Sequence, residues 1–295
     1  MMKTRILGKD LKVSAVGLGC MGMTHASGAP ADVKEMTELV GQALKHYRDK
    51  IVLATKCGVQ HKGDHLEMDS RPETIRKSVE GSLKKLQTEH IDLYYQHRID
   101  PKVEPEEVAG AMSELIKEGK ILHWGISEVD EEYLRRAHKV CPVTVIQNRL
   151  SMMYRDYEKL FPVLEELQVG FVAFSPLANG FLTACYRDTS QFEQSPADFR
   201  SSMPQFTKEG VEQNADLLEL IQTKAKEKDA TPAQISLAWM LAKRPYIVPI
   251  PGSRTLSRLQ ENLGAAEIVL TKEEVAQIDD ALDHMTMSQV FGGHR

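Results

Sequence analysis

Residues 91–127 read "IDLYYQHRIDPKVEPEEVAGAMSELIKEGKILHWGIS". The two ends, "IDLYYQ" and "ILHWGIS", are short apolar runs with little polar alternation, which is how strands buried on both faces are written. The middle, "PEEVAGAMSELIKEG", opens on proline and closes on glycine, the usual polarity of a helix. A strand, a crossover helix and a second strand predict a parallel pair.

The same unit repeats in both directions. Downstream come a helix "DEEYLRRAHKV", a strand "VTVIQ", a helix "YEKLFPVLEEL" and a strand "GFVAFS". A polar insert at 183–209 follows, then helices near 211–228 and 232–243, the strand "YIVPI", and two last helices, "TLSRLQENLGA" and "TKEEVAQIDDALD". Upstream lie a helix at 71–86 with Ile75, Val79, Leu83 and Leu86 at helical spacing, and a strand "IVLAT" at 51–55. The start of the chain reads as a hairpin, "RIL" and "LKVSAV" about the turn "GKD", leading into "AVGLG". This regularity predicts an α/β fold: a TIM (β/α) barrel with an N-terminal β-hairpin, as a single domain over 1–295. Its strands end near 19, 55, 96, 126, 147, 174 and 250, which makes seven. A closed barrel of this class has eight. Only one helix, about 32–46, separates the first two strands, so the missing piece is one βα unit, the one carrying the second strand.

Composition narrows the function. The chain has 295 residues, 42% hydrophobic and 27% charged, with a net charge of -5. Neither nucleic acid nor an anionic membrane is expected as a partner. The four cysteines form no C-x-x-C pair, so neither zinc nor a disulfide framework is indicated, and a reducing cytoplasmic location is the expectation. No apolar run reaches membrane-spanning length, and the N-terminus lacks the apolar core of a signal peptide. A small-molecule substrate and a monomer or weak homo-oligomer are expected.

In such barrels the active site lies at the C-terminal ends of the strands. These ends carry Gly19 and Met21, Lys56, His97, Ser127 and Glu128, Gln147 and Asn148, Phe174 and Ser175, and residues 251–254. "GLGCMG" at 17–22 has the letters of a dinucleotide fingerprint, but ten residues separate its last glycine from the next helix, and Lys56 rather than an acidic residue ends the next strand. It reads better as a tight turn where backbone approaches a ligand. Lys56 alone could be a snorkelling surface residue and His97 alone a core histidine. On successive strand ends they predict an acid/base or electrostatic pair. "IPGSRTLSRLQEN" at 250–262 puts backbone N–H groups, Ser253, Arg254 and Arg258 at a helix start, an anion site. His61, Asp64 and His65 in "HKGDH" read as a solvated loop rather than a metal site.

Taken together, "RILGKDLKVSAVGLGCMGM", "VLATK", "IDLYYQHRID", "EGKILHWGIS", "IQNRLS", "AFSPLANGFLT", "TPAQISLAWML" and "IVPIPGSRTLSRLQEN" resemble the aldo-keto reductase family along nearly the whole chain. The resemblance implies a barrel that binds NADP(H) without a Rossmann fold and reduces aldehydes or ketones by hydride transfer. By motif, Ser127 and Gln147 resemble the groups holding the nicotinamide carboxamide, with Glu128 where the family usually has asparagine. Phe174 resembles the aromatic stacked on the nicotinamide. Ser175, Leu177 and Gly180 resemble the loop along the pyrophosphate. Ser253, Arg258, Glu261 and Asn262 resemble the 2′-phosphate and adenine contacts, with Gly252 where many relatives have lysine.

By the same resemblance Lys56 is the catalytic lysine and His97 the catalytic histidine. The family's aspartate and general-acid tyrosine belong to a segment of the form F-D-T-A-x-x-Y-G, which is absent here. "TELVGQALKHYRDK" runs from the first helix straight toward the lysine strand, so the seam lies within about Met36 to Leu44. Tyr47 is near in sequence but precedes the strand, on the opposite face of the barrel. The implied activity is therefore NADPH-dependent carbonyl reduction impaired by loss of the acid. The alternative is a non-catalytic NADP(H)-binding or sensor protein. Lys56 as an aldolase-like Schiff-base nucleophile would leave the cofactor motifs idle.

Overall fold

The computed structural model describes residues 2–21, 40–62, 65–186, 189–192 and 198–290. Two strands, β1 (Thr4–Leu7) and β2 (Leu11–Ser14), pair antiparallel as a hairpin. The barrel staves are β3 (Ala54–Cys57), β6 (Ile91–Gln96), β7 (Ile121–Ser127), β8 (Val145–Arg149), β9 (Gly170–Phe174) and β10 (Ile247–Pro249). They form one all-parallel six-stranded sheet in the order β10-β9-β8-β7-β6-β3. Residues 15–19 add a seventh stave beside β10. Gly17 N donates to Pro249 O at 3.0 Å, Gly19 N donates to Pro251 O at 3.1 Å, and Gly19 bridges Gly252.

Helices cover the outside: α1 (Pro72–Leu86), α2 (Pro105–Lys117), α3 (Glu131–Val140), α4 (Phe161–Leu167), α5 (Lys208–Gln213), α6 (Ala215–Glu227), α7 (Pro232–Lys243), α8 (Leu256–Gly264) and α9 (Lys272–His284). Their ends follow local chemistry. Prolines start α1, α2 and α7, and Thr231 with Gln234 and Thr271 with Glu274 form reciprocal capping boxes on α7 and α9. Among the described helices α7 is buried nearly all round, from Ala233 to Leu241, because it is wedged among α6, α8, α9 and β10.

The order of the staves leaves β3 and residues 15–19 as the two ends of the series, and among the described residues no strand joins them. The place expected for the absent unit lies between these two ends. Burial agrees. β6 is buried at every position but Asp92, whereas β3 has Ala54 exposed and Thr55 and Lys56 half-buried.

The approach to β3 is held from below. Residues 40–44 are helical and Lys45–Lys50 form a 3₁₀ turn. Arg48 pairs with Asp92 at 2.7 Å and also donates to Thr88 Oγ1 and His90 O, both at 2.8 Å. Asp92 also accepts from Leu53 N at 2.8 Å. The expected strand at 51–55 is thereby shifted: 51–53 serve this clamp, and the ladder runs Ala54–Cys57. Tyr47, on the same turn, is 57% exposed and reaches nothing at the other end of the barrel.

The hairpin plugs the bottom of the barrel. Leu7 and Leu11 pack with Leu93, Tyr95, Val145, Val172 and Val248, the inner lining. A Cβ at Gly170 would lie 2.6 Å from Leu7 Cδ2, so that position must be glycine for the plug to seat. Arg5 locks it, donating to Leu241 O at 2.6 Å, Arg244 O at 2.6 Å and Ile247 O at 3.0 Å, and Lys3 reaches Ala266 O at 2.8 Å.

Two further expectations need correction. The stretch after Lys56, read as loop, contains a β-hairpin, β4 (Val59–Lys62) with β5 (His65–Met68). Asp64 and the side chains of His61 and His65 lie outside the described residues. The insert at 183–209, read as merely polar, has an apolar nucleus in which Phe181, Tyr186, Phe192 and Phe206 stack at 5.1–5.6 Å, with Arg200 over Phe192.

Candidate active site

Strand register decides which side chains share the barrel interior. Paired residues of a parallel sheet point to the same face, and every second residue along a strand returns to it. Tyr95 and Val172 belong to the inner lining. Lys56 pairs with Tyr95, which pairs with Gly125, and Gly125 with Val145. Ser127 pairs with Gln147, Gln147 with Val172, and Arg149 with Phe174. Lys56, Ser127, Gln147, Arg149 and Phe174 therefore all face inward near the strand ends, as does His97, two residues beyond Tyr95. Asn148 faces outward, where its amide exchanges two hydrogen bonds with Val129 backbone at 3.0 and 3.2 Å.

The Lys56 corner is cationic. His97 N donates to Cys57 O at 2.9 Å, which fixes the imidazole beside the lysine strand. Arg98 donates to His97 O at 2.7 Å and to Ser127 Oγ at 3.3 Å, holding a guanidinium in the same corner. Burial, reinforced by the charge of Arg98, lowers the Lys56 ammonium to about 8, with the Cys20 thiol opposing weakly. Burial, with Lys56 and Arg98, lowers His97 to about 3, so its imidazole is neutral at neutral pH. Among the described residues none of the charged groups acting on Lys56 is a carboxylate.

The next part of the rim is polar, then aromatic. Ser127 and Gln147 are buried, and the Tyr95 hydroxyl is hydrogen-bonded to Gln147 one layer below. Burial holds the Tyr95 phenol far above its usual range, so it is a poor acid as well as inaccessible. Glu128 sits at φ 56 with its Oε1 buried and without a partner among the described residues. Phe174 is half-buried, with Arg149 over its ring at 5.7 Å and over Tyr154 at 4.7 Å.

Beyond Phe174 the backbone coils through Ser175, Ala178, Asn179 and Gly180, all at positive φ. Leu177 is half-buried between them, and Asn179 Oδ1 is buried without a partner among the described residues. Across from this loop, Gly19 meets Gly252. A Cβ on Gly19 would lie 2.6 Å from Ile250 O, so the approach requires glycine. Thr255 caps α8, accepting from Arg258 N. Asn262 donates to Ser253 Oγ at 2.9 Å, and Arg258 pairs with Glu261 at 2.7 Å. Arg258 also reaches Cys185 Sγ at 3.9 Å, which links the loop after β9 to the start of α8. Met21 is 63% exposed at the outer rim.

The structure thus joins Lys56, His97, Ser127, Gln147 and Phe174 in one inward series, and gathers Ser253, Arg258, Glu261 and Asn262 at the start of α8. Residue-by-residue reading missed Arg98, Arg149 and Asn179. Arg98 could have been found as the residue directly after His97, and Arg149 as the second position after Gln147. Among the described residues no cluster of His, Cys, Asp or Glu could hold a metal ion, and no helix is long and apolar enough to cross a membrane.

The chain matches the model of the Aldo/keto reductase family over residues 33–283. It is 35% identical to a probable aldo-keto reductase of Glycine max, over 97% of this chain and 89% of that protein. That alignment runs over 317 positions against 295 residues here, so the Glycine max protein has residues where this chain has none. Among solved structures, the glycerol dehydrogenase of Gluconobacter oxydans superposes with a TM-score of 0.85 at 26% identity, covering 99% of this chain and 98% of that one. An aldo-keto reductase of Bacillus halodurans in its holo form gives 0.76 at 25% identity, covering 100% of both chains.

Proposed function

The chain belongs to the aldo/keto reductase family, a family of oxidoreductases, and from that membership we propose that it binds NADP(H) along its strand-end rim and reduces small aldehydes or ketones to alcohols, at a rate impaired by the loss of the general acid. The observation that carries this reading is the unbroken inward series from Lys56 and His97 through Ser127, Gln147 and Phe174, leading to the Arg258 end of α8. One barrel domain over 1–295 and a cytoplasmic setting complete the reading.

The residues fit the cofactor chemically. Glu128 Oε1 is a buried acceptor without a donor among the described residues, beside Ser127 and Gln147, and a carboxamide offers both an N–H donor and an oxygen acceptor. Phe174 offers a ring face for stacking. Gly19, Met21, Ser175, Leu177, Gly180 and Gly252 would line the pyrophosphate and Ser253, Arg258, Glu261 and Asn262 the adenosine end, where a helix N-terminus and a guanidinium favour phosphate. A chain of net charge -5 that gathers Lys56, Arg98, Arg149 and Arg258 along one rim is locally suited to an anionic ligand.

When bound, the reduced nicotinamide supplies the hydride. Neutral His97 donates a hydrogen bond that orients the carbonyl oxygen, and its low pKa rules it out as the acid near neutrality. Lys56 ammonium stabilises the forming alkoxide, and the proton comes from Lys56 or from water. Loss of a positioned acid costs about two to four orders of magnitude in rate.

A second reading, NADP(H) binding without turnover, is favoured by one observation: Lys56 has no carboxylate neighbour among the described residues, and the tyrosine nearest it on the paired strand, Tyr95, is 1% exposed beneath the rim. Fluorescence titration with NADPH followed by turnover of simple aldehydes separates the two. Slow turnover supports the reductase, binding with no turnover supports the second reading, and no binding overturns both.

A further inference from the structure

We infer that Lys56 is an amine nucleophile in its own right, condensing with small aldehydes and ketones that enter the rim to form a Schiff base. This rests on the proposed function only in assuming that carbonyl compounds reach the strand ends.

The placement of Lys56 carries the inference. Its side chain faces into the barrel in register with Tyr95, on the stave whose other edge has no partner strand among the described residues. Among the described residues the charged or titratable groups facing it are His97 and Arg98 after β6, and Cys20 after residues 15–19. Arg98 cannot swing away without giving up its bonds to His97 O and Ser127 Oγ. An amine enclosed in protein beside a fixed guanidinium, with no anion among the described residues to hold its proton, is the environment that activates lysine toward carbonyls. A carboxylate partner would do the reverse, keeping the amine charged and unreactive. With its ammonium lowered to about 8, roughly one Lys56 in five is a free amine at pH 7.4, against about one in a thousand for an ordinary lysine.

The step balances without oxidant or reductant. The Lys56 Nζ lone pair forms a C–N bond to the carbonyl carbon as the C=O π pair moves to oxygen. That oxygen takes a proton from water, and the nitrogen releases one. The carbinolamine then loses its hydroxyl with a further proton as water, leaving C=N. Neutral His97 holds the carbonyl oxygen by an N–H hydrogen bond during attack.

The test is reductive trapping on the unmodified chain. Propanal and cyanoborohydride at pH 7.4 convert any imine to a stable propyl amine, and peptide mass spectrometry locates it. Lys56 is expected to label about tenfold or more faster than the exposed Lys84 and Lys85. Arg98→Gln, which removes the neighbouring cation, is expected to slow Lys56 labelling at pH 7.4 and to recover it at pH 10. Labelling of Lys56 no faster than that of Lys84 and Lys85 overturns the inference. NADPH titration on the same preparation keeps the two proposals apart. Binding without selective labelling overturns the Schiff base alone, and selective labelling without binding overturns the NADP(H) reading alone.

Discussion

Replacing Lys56 by methionine is expected to stabilise the protein at neutral pH. In the unfolded chain the ammonium titrates at its ordinary 10.5, and in the fold at about 8. Below pH 8 both states are protonated, and the fold carries the full cost of a charge removed from water beside Arg98. Between pH 8 and 10.5 only the unfolded state keeps the proton, so unfolding free energy rises with pH by about 1.4 kcal/mol per unit. Integrated over that window the cost comes to about 3 kcal/mol, present in full at pH 7 and gone above 10.5. Methionine fills a similar volume without charge. Urea denaturation of both proteins at pH 7, 8, 9 and 10 should show the variant ahead by about 3 kcal/mol at pH 7 and the lead shrinking steadily above pH 8. A lead that is constant across the series, or a variant weaker than wild type at pH 7, would refute the reasoning. The former would mean that Lys56 keeps an ordinary pKa, the latter that it has an anionic partner.

Three other outcomes follow from geometry already described. Arg48→Ala strands Asp92, a carboxylate 13% exposed, and should cost about 3 kcal/mol, read as a fall in Tm of about 6 °C or more. Arg48→Lys, which keeps the charge but loses the fork, should cost about half as much. Gly19→Ala drives a Cβ to 2.6 Å from Ile250 O and should cost about 1–3 kcal/mol in stability, with weaker NADPH binding in a fluorescence titration. His97, neutral in the fold, contributes stability that is complete above pH 6.5 and is lost as pH falls toward about 3. A His97→Gln variant followed by circular dichroism should show a shallower acid transition over that window.

Most of the barrel was legible because its staves are long apolar runs separated by helices with proline starts, as at 91–127. What the sequence hid were features set by partners far along the chain. "IVLAT" is as apolar as any stave, yet Leu53 serves Asp92 and the ladder starts at Ala54, because a strand at a free edge is held only from one side. The hairpin at 59–68 was lost among polar residues, whose cross-strand pairing has no apolar signature. In the site, Lys56 and His97 stood out as charged or titratable groups at strand ends. Arg149 did not, since only the register with Phe174 shows that it points inward.

The plug at the bottom of the barrel has a consequence for biosynthesis. Arg5 bonds only to carbonyls between Leu241 and Ile247, and Lys3 to Ala266. Residues 3–5 therefore dock onto a stretch, residues 241–266, that is synthesised much later. Until that stretch emerges, Leu7 and Leu11 and the lining residues Val145 and Val172 have no lid, and the nascent chain shows apolar surface to its surroundings. Closure then joins sites more than 230 residues apart, a loop whose entropic cost slows folding without contributing to the folded contacts. A chain that stopped short of α7 would leave both Arg5 and Lys3 without these partners.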